Sequence, residues 1–286
     1  MRAQFVDGLG RILPLNVASY LTGKAAQLSL PKPFNQVLCG AFAKTFGIDL
    51  SEAERPLKDY SSIEELFTRK LKPGIRPIEG ELCSPADGVL SVAAPSTGNT
   101  AVQAKGLSYS LTELMFGASH PQPRPLAFYT TVYLAPKNYH RVHSPIQAEL
   151  KKLRYFPGEL WPVNQPSVKW TPRLFTRNER LIFELETPEG TAYLAMVGAL
   201  NVGRITTPFV PDFATNDGRS RLAKAGPQEL ALARSHQLEA GDELGTFMLG
   251  STVIIAFDEA LTKRYRMLQA WSSRPVRMGE KLGSRA

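Results

Sequence analysis

The tetrapeptide Leu249-Gly250-Ser251-Thr252 has the chemistry to cut its own chain. A serine directly after glycine can attack the preceding carbonyl with its hydroxyl, because glycine allows a tight backbone bend and puts no side chain in the way. The amide becomes an ester. β-Elimination at the serine Cα and hydrolysis of the dehydroalanine then leave a pyruvoyl group at residue 251, a carbonyl cofactor made from the protein itself. The same four residues also fit a buried strand with a glycine irregularity, since they lie inside the apolar run from Thr246 to Phe257.

His140 and His143 are two of the four histidines and follow a strand-like segment. Imidazole is the side chain best suited to proton transfer near neutral pH. On a helical turn the pair would face one side, either serving one site in different roles or binding a metal with a third ligand such as Asp87. Two surface histidines in a loop fit the spacing as well. No dense carboxylate or thiolate cluster completes a ligand set, so no metal is assigned, and a metallohydrolase using His140, His143 and Asp87 stays as an alternative. Asp87-Gly88 opens a strand, a position where most such pairs are turns.

Several elements must position these groups. Between Cys83 and the C-terminus, short β-rich segments alternate with turn residues: Gly88 to Val92, Phe128 to Leu134, Leu181 to Thr187, Thr191 to Val197 and Phe247 to Phe257. Pro188-Glu189-Gly190 reads as a hairpin turn. The polar stretch from Pro211 to Glu239 reads as a long loop with a short helix over Pro227 to Arg234. Upstream, Ser61 with Glu64, or Ser62 with Glu65, fits a capping box for a helix running to about Lys70. Earlier still, Phe5, Leu9, Ile12 and Leu13 keep helical spacing, as do Phe34, Val37, Leu38, Ala41 and Phe42. With Arg2, Arg11, Lys24, Lys32 and Lys44 among them, these helices fit an anionic bilayer surface. Packing on the rest of the domain is the other reading.

The fold class is therefore α+β. N-terminal amphipathic helices (residues 1–60) lie on a mostly antiparallel β core (residues 61–286) that is sandwich or barrel-like and distantly similar to lipoyl carriers. With 286 residues, 43% of them hydrophobic, the chain can bury a sizeable core. Its formal charge of +8 suits a polyanion, nucleic acid or membrane. Cys39 and Cys83 are too few for a disulfide scaffold and point to a reducing compartment. No apolar stretch reaches a transmembrane length and no signal-peptide pattern opens the chain.

In order along the chain, these pieces resemble the phosphatidylserine decarboxylases in their membrane-associated bacterial form. The resemblance rests on Phe67-Thr-Arg-Lys-Leu71 with Arg76-Pro77, Ser84-Pro-Ala-Asp-Gly88, Lys105-Gly106 with Tyr109 and Leu111, and Tyr139-His-Arg-Val-His143. It continues through Pro157-Gly-Glu-Leu-Trp-Pro-Val-Asn164, Asn178-Glu-Arg180, Val197-Gly-Ala-Leu-Asn-Val-Gly203 and Gly241-Asp-Glu-Leu-Gly-Thr-Phe247, ending in the tetrapeptide.

The resemblance implies a pyruvoyl enzyme that converts phosphatidylserine to phosphatidylethanolamine and carbon dioxide through a Schiff base. It implies self-cleavage between Gly250 and Ser251 by a charge relay of Asp87, His143 and Ser251, with Asp87 holding the His143 tautomer. Residues 1–250 and 251–286 would stay associated. His140 is the candidate proton donor in decarboxylation. The expected partners are phosphatidylserine and an anionic membrane surface at the cytoplasmic face of the cell membrane, not nucleic acid, and a homo-oligomer is compatible. A pyruvoyl decarboxylase of a soluble amino acid is the nearer alternative. One departure is Asn138, where many members carry Asp; an amide orients a neighbour but supplies no charge.

Overall fold

The computed structural model describes residues 15–104, 106–118, 125–200, 204–216, 226–248, 251–270 and 273–286. The expected helix over Phe5 to Leu13 lies outside them. Two helices open the described chain, α1 (Leu15–Ala26) and α2 (Lys32–Phe46). Pro31 precedes α2 with Pro33 in its first turn, and Gly47 ends it in a left-handed conformation, φ 69°. The inward face of α2 carries Asn35, Cys39 and Ala43, and the Asn35 amide donates to the Tyr60 carbonyl at 2.6 Å. Its apolar stripe points outward instead, with Phe34 68% and Val37 73% exposed.

Helix α3 (Ile63–Phe67) begins at Ser62, whose hydroxyl accepts from Glu65 N, so the second of the two capping boxes is the one used. It stops before Lys70, because Arg69 turns away to reach distant backbone carbonyls. Leu66 packs with Cys39, Ala43, Ile48 and Tyr60 in a small N-terminal cluster. That cluster therefore takes in residues beyond position 60.

The β core follows. Its first half comprises β1 (Leu82–Cys83), β2 (Gly88–Pro95), β3 (Thr100–Ala104), β4 (Leu107–Ser110), β5 (Leu126–Leu134), β6 (Arg141–His143), β7 (Ala148–Phe156), β8 (Arg180–Thr187) and β9 (Gly190–Val197). The second half comprises β10 (Ile205–Thr206), β11 (Gln228–Leu230), β12 (His236–Leu238), β13 (Glu243–Phe247), β14 (Ser251–Asp258), β15 (Tyr265–Met267), β16 (Arg274–Val276) and β17 (Lys281–Arg285). A nine-stranded antiparallel sheet runs β11-β7-β8-β9-β14-β5-β2-β16, with β12 also on β7, and does not close into a barrel. A three-stranded sheet β10-β13-β6 lies apart from it in hydrogen bonding, as do β1-β17-β15 and the hairpin β3-β4.

Two expectations are corrected here. The run from Phe247 to Phe257 is two strands in different sheets, since β13 pairs with β6 and β10 while β14 pairs with β5 and β9. Pro227 to Arg234 is not a helix, and Gln228–Leu230 within it forms β11 against β7. Pro188 and Glu189 do make the two-residue turn between β8 and β9. Asp87-Gly88 opens a strand as expected, and Gly88 has no substitute there: a Cβ would meet the Tyr133 carbonyl oxygen at 2.4 Å.

Strand β14 lies at the centre of the large sheet, and Val253, Ile254, Ile255 and Phe257 are all fully buried. Each contributes roughly 1.5–3 kcal/mol on burial. Both cysteines are buried thiols.

Candidate active site

Ser251 opens β14 opposite Leu134 of β5. It is fully buried, and its hydroxyl has no hydrogen-bond partner among the described residues. Buried hydroxyls are normally paired, so an orphan one asks for a functional reason. The residue forms part of the wall of a cavity of about 310 Å³, to which the N-terminal helices contribute Thr22, Phe42 and Phe46 and the core contributes Phe67, Leu134 and Val163. Leu249 and Gly250, the upstream side of the expected cleavage site, lie outside the described residues, as do Lys105 and residues 201–203 of the quoted motifs.

The two histidines are not on a helical turn. β6 pairs antiparallel with β13, setting His143 opposite Glu243 and Val142 opposite Gly245, and Phe247 N donates to the His140 carbonyl at 3.0 Å. The β-branched Val142 and the free edge of β13 favour the extended form. In extended backbone, residues three apart point to opposite faces. The pairing also orders them along β13: His140 lies beside Phe247 and His143 beside Glu243.

Their surroundings differ accordingly. The His140 ring stacks on Phe67 with centroids 3.9 Å apart, and its Nδ1–H donates to the Asn138 carbonyl at 2.8 Å. Nε2 is buried and has no partner among the described residues. Burial pushes its pKa down to about 3, against the pull of the Asn138 hydrogen bond and with the help of the Arg69 charge. This imidazole is neutral at physiological pH, with its lone pair on Nε2. Phe67, on which the ring stacks, lines the cavity that Ser251 also lines.

His143 donates from Nδ1 to the Gly241 carbonyl at 2.7 Å, and its Nε2 accepts from the Tyr139 hydroxyl at 3.0 Å. Burial lowers its pKa too, opposed by the Gly241 hydrogen bond and by the charges of Glu243 and Asp87. Asp87 does not hydrogen-bond this ring. Its Oδ1 accepts from Arg76 Nε at 2.9 Å and Met278 N at 2.8 Å, and its Oδ2 from Arg76 Nη2 at 2.6 Å. The orienting role expected of Asp87 thus falls to the Gly241 carbonyl, and among the described residues no hydrogen bond joins Asp87, His143 and Ser251.

Asn138 folds its side chain back, its Oδ1 accepting from Ala135 N at 2.8 Å. It shapes the turn before the histidines. Residue-by-residue reading singled out neither Tyr139 nor Arg69; their only signal was membership of the quoted motifs. Among the described residues no group of three or more His, Cys, Asp or Glu side chains converges on a metal-sized site. His140, His143 and Asp87 face different partners, so the ligand set of the metallohydrolase alternative is not brought together.

Comparison with known proteins follows the same line. The sequence model of the phosphatidylserine decarboxylase family matches residues 63–284. A phosphatidylserine decarboxylase proenzyme of Myxococcus xanthus is 36% identical over 290 residues, covering 99% of this chain and 99% of its own. One from Anaeromyxobacter is 38% identical over 285 residues (99% and 98%), and one from Pseudomonas fluorescens is 38% identical over 277 residues (95% and 94%).

Proposed function

The chain belongs to the phosphatidylserine decarboxylase family, and from that premise we propose that it removes the serine carboxylate of phosphatidylserine, releasing carbon dioxide and leaving phosphatidylethanolamine. The observation that carries the reading to this chain is the Ser251 hydroxyl: buried, unpaired, first in a central strand and in the wall of a cavity beneath phenylalanines of the N-terminal helices. The soluble amino acid alternative leaves those helices unexplained.

Self-processing comes first. The Ser251 hydroxyl adds to the Gly250 carbonyl and the acyl group moves from nitrogen to oxygen. Loss of the Ser251 Cα proton then breaks the ester C–O bond, freeing the Gly250 carboxylate, and water expels ammonia from the dehydroalanine. His143 is the proposed base, with Asp87 acting on it through space. Its tautomer suits the task, because Nδ1–H is held by Gly241 and Nε2 carries the lone pair. Reaching Ser251 requires exchanging the Tyr139 hydroxyl for the serine hydroxyl.

An orphaned buried Oγ at residue 251 fits replacement by a carbonyl, which brings no donor to satisfy. The pyruvoyl group, once formed, supplies the electron sink for the pair left when carbon dioxide departs. His140 handles the proton. A substrate ammonium has to lose a proton before its nitrogen can attack a carbonyl; the free Nε2 takes that proton and returns it to the substrate Cα.

The lipid is met at a bilayer surface. No described helix is long and apolar enough to cross a membrane. The exposed Leu28, Phe34, Val37 and Leu38, flanked by Lys24, Lys32 and Lys44, suit peripheral attachment of residues 1–60 to anionic lipid at the cytoplasmic face.

Intact mass under denaturing conditions tests the assignment. Active protein should give two fragments meeting between Gly250 and Ser251, the smaller with the pyruvoyl mass, and Ser251→Ala should give one inactive chain. A single full-length mass in active enzyme overturns it.

A further inference from the structure

The sequence around Arg69 has no obvious use, yet it meets the histidine loop three times in three consecutive residues. Phe67 stacks on the His140 ring. The Thr68 carbonyl accepts from Arg141 Nε at 3.0 Å, while Arg141 Nη1 grips Glu243 of β13. Arg69 Nη2 donates to the carbonyls of Lys137 at 3.1 Å and Asn138 at 3.4 Å. The Asn138 carbonyl is the same one that accepts the His140 Nδ1–H.

Arg69 is an expensive residue to keep there. It is 4% exposed, and its Nε and Nη1 meet no acceptor among the described residues. The nearby carboxylates, Asp87 and Glu52, are both taken by Arg76. A buried guanidinium without a counterion is destabilising rather than stabilising, so its place in the fold is not explained by an ion pair. What it does hold is the turn from Ala135 to Asn138, closed on itself by the Asn138 N to Ala135 O bond at 2.9 Å.

We propose that Arg69 is a positioning residue for His140: it fixes the Asn138 carbonyl, and through it the Nδ1–H tautomer that leaves the Nε2 lone pair free. Without Arg69 the carbonyl loses its second donor and can rotate away. The ring then has no reason to keep its proton on Nδ1, and the Nε2–H form puts a proton where the lone pair is needed. Phe67 sets the plane of the ring; Arg69 sets which nitrogen is which. This inference rests on the role proposed above for His140, and the experiment separates the two.

The measurement is made on full-length, self-processed enzyme in vesicles of phosphatidylserine and phosphatidylglycerol. With four histidines in the chain, ¹⁵N-imidazole labelling resolves the His140 tautomer directly. Arg69→Met should remain cut, populate the Nε2–H form of His140 and lose about a hundredfold in kcat at unchanged KM. Arg69→Lys, which keeps one donor, should fall between and decides the matter where Arg69→Met does not accumulate. In a His140→Ala background Arg69→Met should add no more than about a twofold change, as for two residues acting as one unit. Wild-type kcat with an unchanged tautomer overturns the proposal, and so does an undiminished loss in the His140→Ala background. If His140→Ala itself turns over normally, the role of His140 fails, and the tautomer alone then decides for or against Arg69.

Discussion

His140 and His143 are the same residue type, three positions apart in one loop and strand, and they occupy opposite chemical situations. One ring is pressed against Phe67 near a buried cation, with a nitrogen left open. The other has both nitrogens engaged, by Gly241 and Tyr139, and feels the anions Glu243 and Asp87. Strand parity separates them, and β13 meets them at different points along its length, Phe247 beside His140 and Glu243 beside His143. Two histidines that look like a matched pair in sequence thus meet different surroundings, in line with the separate roles proposed for them.

The sharpest test of that contrast is to remove each ring. His143→Ala should stay a single uncut polypeptide on a denaturing gel, with decarboxylation lost entirely. His140→Ala should be cut normally and lose roughly 10²- to 10⁴-fold in turnover, the usual value of a positioned acid or base. An uncut His140→Ala would abolish the division of labour.

Acid stability probes the same difference without reference to activity. A histidine whose folded pKa is depressed binds fewer protons folded than unfolded, so its contribution is present above the unfolded value and lost as pH falls. For His140 the window runs from 6.5 down to about 3, worth at most about 5 kcal/mol. His140→Gln should flatten the fall in denaturation free energy across that window more than His143→Gln does; equal flattening would mean the two rings are equally sealed. Smaller again is Tyr139→Phe, which strands the His143 Nε2 and should cost about 1–3 kcal/mol in urea unfolding while leaving the His140 tautomer as it was. Asn138→Asp should be smallest. Its Oδ1 keeps the bond to Ala135 N, so stability should shift by about 0.5 kcal/mol or less with self-cleavage intact.

Much of this was legible from the chain. The alternating apolar pattern exposed β2, β5, β8 and β9, and the glycine-serine step inside an apolar run exposed Ser251. Strand β7 was hidden because Glu149, Lys151, Lys152 and Arg154 interrupt its apolar residues and an irregularity between Leu150 and Lys152 breaks the alternation. The histidine geometry was misread because spacing alone cannot tell a helical turn from a strand; β6 is extended only because β13, a hundred residues on, offers it an edge. The grip of Arg69 on Lys137 spans 68 residues and has no local pattern at all. The apolar stripe of α2 was legible as a stripe, but only packing reveals that Asn35, Cys39 and Ala43 face inward while Phe34 and Val37 stay exposed.

The position of β14 has a consequence for how the protein can be made. Cleavage before Ser251 would leave the new chain beginning at the first residue of a strand paired on both sides, while β16 closes on β2 and β17 on β1. Neither piece can keep this fold without the other. Folding would therefore be a first-order process only once, in the uncut precursor. After the cut, regaining the structure from a denatured state becomes a second-order encounter whose yield falls with dilution. A Ser251→Ala chain should refold equally well at any concentration, and the mature enzyme should not.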